Sequence, residues 1–224
     1  MLRLKLFGAA QLFHGEAEIR LPSRGATLPL LAYLALHRAE RISRSRLAFT
    51  LWPDEPEEVA LHDLRRKLYL LLKALPPTPK AASWVLADAD TIVWNDAAEY
   101  ELDVAQFELL RREPATLEQA VTLYDGDLLE EIYDDWVAVE RERLRGLFLA
   151  DLSALIVANR SRRAFDAAAR YAQRLLRADP WREDAVRHCP GRYKLSLPNS
   201  AWMERYRQNA MVGTGSVQPI ARLV

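Results

Sequence analysis

The stretch Leu51-Trp52-Pro53-Asp54-Glu55-Pro56-Glu57-Glu58, followed by Ala60, Leu64-Arg65 and Leu68, decides how this chain is read. It ends one helix, makes an acidic turn and opens a second helix. Pro53 and Pro56 break the backbone, and Glu57 and Glu58 then occupy a first turn, where the helix dipole favours negative charge. Placed on a wheel at 100° per residue, the second helix gathers Leu61, Leu64, Leu68, Leu71, Leu72 and Leu75 on one side and His62, Arg66, Tyr69 and Lys73 on the other. The leucine side requires a core. The opposite stripe, made of donors and one aromatic, has the width of a DNA major groove, in which base edges are read from one face of a helix.

Upstream, residues 2–7, 10–13 and 17–20 alternate apolar and polar around Gly8 and His14-Gly15, predicting three short antiparallel strands. An apolar helix with Leu30, Leu31, Leu34 and Leu36 starts between Ser23 and Thr27, either of which can cap it; Pro29 is expected in the first turn, where a missing N–H is tolerated. Ser43 caps a shorter helix that runs through Leu47, Phe49 and Leu51 to Trp52. Downstream, Pro76-Pro77-Thr78-Pro79 stops the second helix of the opening stretch. Trp84-Val85-Leu86 and Thr91-Ile92-Val93-Trp94 then flank a four-residue turn, Ala87 to Asp90. Three helices closed by a hairpin make a winged helix-turn-helix.

From Asp103 onward strands are no longer expected, and helices are predicted over about 103–112, 115–124, 133–158 and 162–178, with loops so short that consecutive helices must pair antiparallel. Ala168, Ala172, Leu175 and Leu176 with the terminator Asp179-Pro180 have the spacing of the second helix of a tetratricopeptide unit. The expected fold is therefore mainly α with a small β component: a winged helix over 1–98, an all-α TPR-like domain over 99–187, and an atypical tail over 188–224. That tail, beginning His188-Cys189-Pro190-Gly191, has scattered Pro and Gly and no sustained helical period, as a truncated or frame-altered segment would.

Half of the 224 residues are hydrophobic, enough for two modest cores. The longest apolar stretch, Leu28 to Leu36, is too short for a bilayer, and Leu2-Arg3-Leu4-Lys5-Leu6 alternates where a signal peptide would not; a cytoplasmic protein is expected. Cys189 is the only cysteine, which excludes an internal disulfide and a cysteine-rich zinc site. The formal net charge of zero conceals segregation, at about +5 for residues 1–80, about −13 for 81–158 and about +8 thereafter. Screening makes local charge decisive for phosphate binding, so a basic first third can dock on DNA while the acidic middle faces away.

An exposed basic helix face is usually only solvated; its place after a helix and a turn makes the DNA reading the stronger one. Arg66 is assigned to base or phosphate recognition, His62 and Tyr69 to neighbouring base or sugar contacts, and Lys73 to phosphate. Arg65 and Lys67 border the stripe, and Arg44 and Arg46 open the preceding helix, whose N-terminus attracts anions. Asp125, Asp127, Glu130, Glu131, Asp134 and Asp135 lack the ligand order and the glycine of a calcium loop; they read as caps and a solvated face, with Asp127 capping and Trp136 packed in the helical core. His188 beside Cys189 has no orienting carboxylate on a rigid element. With no Gly-rich phosphate loop, paired-histidine motif or nucleophile elbow, neither catalytic residues, a metal nor a cofactor is expected.

Three runs together resemble SARP-type bacterial transcriptional activators, an OmpR-like winged helix joined to a bacterial transcriptional activator domain (BTAD). They are Leu30-Leu31-Ala32-Tyr33-Leu34-Ala35-Leu36 leading through Ile42-Ser43-Arg44 and Leu51-Trp52-Pro53-Asp54 to Leu64-Arg65 and Leu68; Leu102-Asp103-Val104 with Phe107; and Tyr124-Asp125-Gly126-Asp127-Leu128-Leu129 with Trp136 and Glu140-Arg141-Glu142-Arg143-Leu144. The resemblance covers residues 2 to about 187. It implies a sequence-specific activator that puts its third helix in the major groove of promoter DNA, binds direct repeats as tandem protomers or as a homodimer, and meets RNA polymerase through the turn before that helix. Here the turn offers Asp54, Glu55, Glu57 and Glu58 to a basic polymerase surface. The sequence departs from the family in Leu70-Leu71-Leu72, where relatives place an arginine, and in an acidic wing tip, Asp88 and Asp90, which disfavours minor-groove contact. A different reading, favoured by those departures, is a protein-interaction adaptor whose winged helix no longer binds DNA.

Overall fold

The structure, a computed structural model, describes residues 1–38, 40–78 and 83–180. The first half runs β1 (Leu2–Lys5), β2 (Gln11–His14), β3 (Ala17–Glu18), α1 (Arg24–Leu36), β4 (Ile42–Ser43), α2 (Arg44–Leu51), α3 (Glu57–Ala74), β5 (Val85–Ala87), β6 (Thr91–Trp94) and β7 (Tyr100–Leu102). The second half is helical: α4 (Asp103–Leu110), α5 (Leu117–Leu123), α6 (Asp135–Ser161) and α7 (Phe165–Ala178). No described helix is long and apolar enough to cross a membrane. The tail from 188 to 224, with His188 and Cys189, and the end of the expected helical domain lie outside the described residues.

The period-2 pattern of β1 does what it predicts. Leu2, Leu4 and Leu6 are buried, while Arg3 and Lys5 point outward and flank the Phe13 ring across the antiparallel pair. A fourth strand, β7, was not expected. It pairs parallel with β1, giving the order β3-β2-β1-β7, and places Glu101 opposite Arg3 at 3.7 Å. Three residues are too few to display an alternation, so only pairing with a strand almost a hundred residues away defines it.

Helix α1 is buried continuously from Thr27 to Ala35, the pattern of a helix enclosed on all sides. Its start differs from the expectation in two ways. Ser23 is the N-cap residue but adopts a left-handed conformation and caps through no side-chain bond; Thr27 lies inside the helix, its hydroxyl donating to the Pro22 carbonyl at 2.7 Å. Pro29 accordingly sits in the second turn. The carbonyl deprived of a partner is that of Gly25, which is exposed and can be satisfied by water. Helix α2 begins as expected, with Ser43 Oγ accepting the Arg46 N–H at 3.2 Å.

The wing is the antiparallel pair β5 and β6, extended by β4 through Ile42 opposite Ile92. Ala87 belongs to β5, so the turn has three residues, 88–90, where four were expected.

The helical half pairs α4 with α5 and α6 with α7, and α7 buries Ala168, Ala169, Ala172, Leu175 and Leu176 along one side. Buried side chains of both halves form one continuous core. The loop before α6 is stitched to the end of β1: Leu129 N–H donates to the Leu6 carbonyl at 2.8 Å, and Gly8 N–H to the Asp127 carbonyl at 2.9 Å. Arg141 holds the loop's other side by donating to the carbonyls of Leu128, Leu129 and Ile132. Tyr124 stacks on Phe148 at 4.1 Å and contacts Phe7 at 4.7 Å, joining helices to sheet.

Two expected roles in this loop change. Asp127 caps no helix; its carboxylate accepts the Tyr124 hydroxyl at 2.7 Å and lies 3.2 Å from Arg145. Trp136 is not in the helical core but half-buried at the start of α6, edge-on to Tyr33 of α1 at 5.1 Å. The reason is the docking of the halves: the N-terminus of α6 abuts the winged helix, where Trp136 finds its apolar neighbour.

Candidate nucleic-acid interface

Helix α3 rests on α1 and α2 and buries Ala60, Leu64, Leu68 and Leu71, with Leu75 just beyond its end. Leu61 and Leu72 are half-buried at the margins. The opposite stripe is exposed: His62, Arg65, Arg66, Tyr69 and Lys73 all face solvent, Tyr69 with 64% of its surface accessible. A tyrosine that open has no packing duty, and its ring and hydroxyl are free to meet a base or sugar. Lys67 is half-buried beside the stripe. The described part of the helical half does not seal this face.

The second cationic group lies at the start of α2. Arg46 is exposed and 3.7 Å from Glu40, a loose pair that water and salt weaken. Arg44 is half-buried. Its Nε donates to the Asp88 carbonyl at 3.0 Å and its N–H to the Asp90 carbonyl at 2.9 Å, so α2 is tied to the wing and only the outer guanidinium edge remains for a phosphate. Arg41 is an addition that the sequence reading missed. Its side chain is 73% exposed, next to β4 and 3.6 Å from Asp88.

The wing tip keeps its negative charge, but one of its two acids has partners within the turn. The Asp88 carboxylate, though exposed, folds back on its own turn, accepting the Thr91 N–H at 2.6 Å, the Asp90 N–H at 2.9 Å and the Thr91 hydroxyl at 2.9 Å. These bonds, led by that from the Thr91 backbone, hold its carboxyl below the usual carboxylate range, with a smaller contribution from Arg41. One of the two acids is thereby spent on the turn and set among Arg41 and Arg44.

The acidic turn is fully presented: Asp54, Glu55, Glu57 and Glu58 are exposed. Asp54 and Glu55 border an open groove of about 590 Å³ whose far wall is Tyr133, Asp134, Asp135 and Trp136 of the helical half. Glu57 and Glu58 start α3 outside it. Among the described residues no group of three or more His, Cys, Asp or Glu side chains is arranged to hold a metal.

Comparison with known proteins agrees with this architecture. The family model described as "Bacterial transcriptional activator domain" matches residues 96–207. A comparison with curated protein sequences gives no match. Among solved structures, that of Mycobacterium tuberculosis EmbR in complex with a low-affinity phosphopeptide superposes with a TM-score of 0.69 at 18% identity, covering 94% of this chain and 59% of that one. At such identity the likeness is one of fold, and the chain spans 59% of the EmbR chain's length.

Proposed function

Since this chain belongs to the bacterial transcriptional activator domain family, we propose that it is a cytoplasmic, sequence-specific DNA-binding activator that reads a promoter's major groove with α3 and recruits RNA polymerase through the acidic turn before it. The observation that supports this most is the solvent-facing stripe of His62, Arg66, Tyr69 and Lys73, backed by buried leucines on a winged scaffold. Arg66 recognises a base or phosphate, His62 and Tyr69 touch adjacent bases or sugars, and Lys73, Arg65, Arg44 and Arg46 hold phosphates. Asp54, Glu55, Glu57 and Glu58 face a basic polymerase surface. Tandem protomers on direct repeats, or a homodimer, place two such helices along one site.

Selection of bound duplexes from a random pool, followed by titration across salt, tests the reading. A recurrent motif and a steep loss of affinity with rising salt are expected, since cationic side chains release counterions from phosphates. Negligible, salt-independent binding to every duplex would overturn it and leave the adaptor reading. Charge reversal at Glu55 and Glu57 is expected to spare duplex binding and lower transcript yield in a reconstituted reaction; an unchanged yield removes the polymerase contact.

A further inference from the structure

The groove between the acidic turn and α6 is built by both halves of the molecule. One wall is Phe49, Thr50, Leu51, Trp52, Pro53, Asp54 and Glu55; the other is Tyr133 to Trp136. Its floor is firm, because Trp136 packs edge-on against Tyr33 of the buried helix α1. Its rim is apolar and open: Phe49 is 47% exposed and Tyr133 86%. Single exposed apolar residues need no explanation, but two exposed aromatics converging on two half-buried tryptophans make a contiguous patch, the kind that binds a partner.

The charge around this patch has one sign. Four carboxylates, Asp54, Glu55, Asp134 and Asp135, line the groove and, among the described residues, no lysine or arginine does. No described cation forms an ion pair with any of the four. Asp134 and Asp135 stand at the N-terminus of α6, where acids are favoured in any helix. That role does not account for Asp134, whose side chain makes no capping bond and instead accepts the Trp136 indole N–H at 3.3 Å. A nucleic acid is repelled here.

We infer that this two-domain groove is a docking site for a basic polymerase segment that seats an aromatic or long aliphatic side chain among Phe49, Trp52, Tyr133 and Trp136 while its lysines or arginines meet Asp54, Glu55, Asp134 and Asp135. The inference rests on the polymerase reading above and extends it, because it makes the helical half part of the contact. Aromatic anchors in a desolvated pocket dominate the energy of such contacts, and the surrounding charges set their orientation and association rate.

The test uses the full chain, purified RNA polymerase holoenzyme and a selected duplex. Tyr133→Ala, and separately the pair Asp134→Asn with Asp135→Asn, each lower polymerase affinity about tenfold and leave duplex affinity unchanged, and each lowers the melting temperature by no more than a few degrees, the loss of favourable charge at the start of α6 being the main cost for the pair. The pair also flattens the salt dependence of polymerase binding. A photo-crosslinker at position 133 captures a polymerase segment of net positive charge. If these variants bind polymerase as the parent does while Glu57→Gln with Glu58→Gln does not, the groove inference falls and the turn reading stands. If the parent chain itself fails to bind polymerase, both fall, and a crosslink to an acidic segment overturns the groove alone.

Discussion

Gly126 lies against Gly8 so closely that a Cβ built on Gly126 would stand 2.9 Å from the Gly8 Cα. This is backbone meeting backbone where the helical half is stitched to the first sheet, and nothing there is a flexible side-chain end that could swing away, the Glu130 carboxylate apart. Gly126→Ala is expected to destabilise the fold by about 1–3 kcal/mol, the range for forcing atoms into a filled site. Gly146, in the middle of α6 with open space around it, serves as the control; alanine there should stabilise by about 0.5–1 kcal/mol through helix propensity. Urea unfolding of the two variants measures both, and a neutral Gly126→Ala would show that the junction is not close-packed.

Arg66 and Lys73 are expected to divide the DNA contact between reading and holding. Arg66→Ala should cost about 1–3 kcal/mol on a matched site and relax one base position, as loss of a bidentate base contact does. Lys73→Ala should weaken every duplex alike and reduce the salt slope by about one. Titration against matched and scrambled sites separates the two; equal losses on both by both variants would refute the division.

Arg111 and Asp151 join α4 to α6 by a bidentate pair, both N–H···O distances being 2.9 Å, with Asp151 buried. Removing only the cation, as in Arg111→Met, leaves a buried carboxylate without its partner and should cost about 2–4 kcal/mol, reduced from the fully buried case because Arg111 is partly solvated. The double change Arg111→Met with Asp151→Leu should recover most of that loss. Chemical denaturation of the three proteins checks it; a double variant as weak as the single one contradicts it.

Two aspartates give stability opposite slopes against pH. Asp103 accepts the Leu6, Phe7 and Val104 N–H groups, yet burial prevails and pushes its carboxyl above the usual range. The folded state then binds its proton more tightly than the unfolded state, so its contribution is greatest below the ordinary carboxylate value and is lost as pH rises through the raised one. Asp88, held low by the turn's N–H groups, contributes above the ordinary value and loses that contribution as pH falls through its depressed one. Unfolding midpoints across the acidic range should show the first slope disappear in Asp103→Asn and the second in Asp88→Asn, the latter effect small because Asp88 is exposed. Identical pH profiles in parent and variants would contradict both assignments.

The sequence alone determined the helices, their faces and the stripe of α3, because helical periodicity, prolines and the Ser43 cap act within a few residues and are written locally. The family resemblance lay there too, in short runs at fixed spacing. Tertiary structure decided what depends on residues far apart in the chain: β7 exists because Leu2 to Leu4 offer it an edge, Trp136 packs on Tyr33 and not among the helices, and Asp127 bonds Tyr124 and Arg145 where a cap was expected. The groove shared by Trp52 and Tyr133 arises likewise, from the docking of two halves whose sequences describe each wall separately. A local pattern fixes which face of an element is apolar; only the packed chain fixes what that face meets.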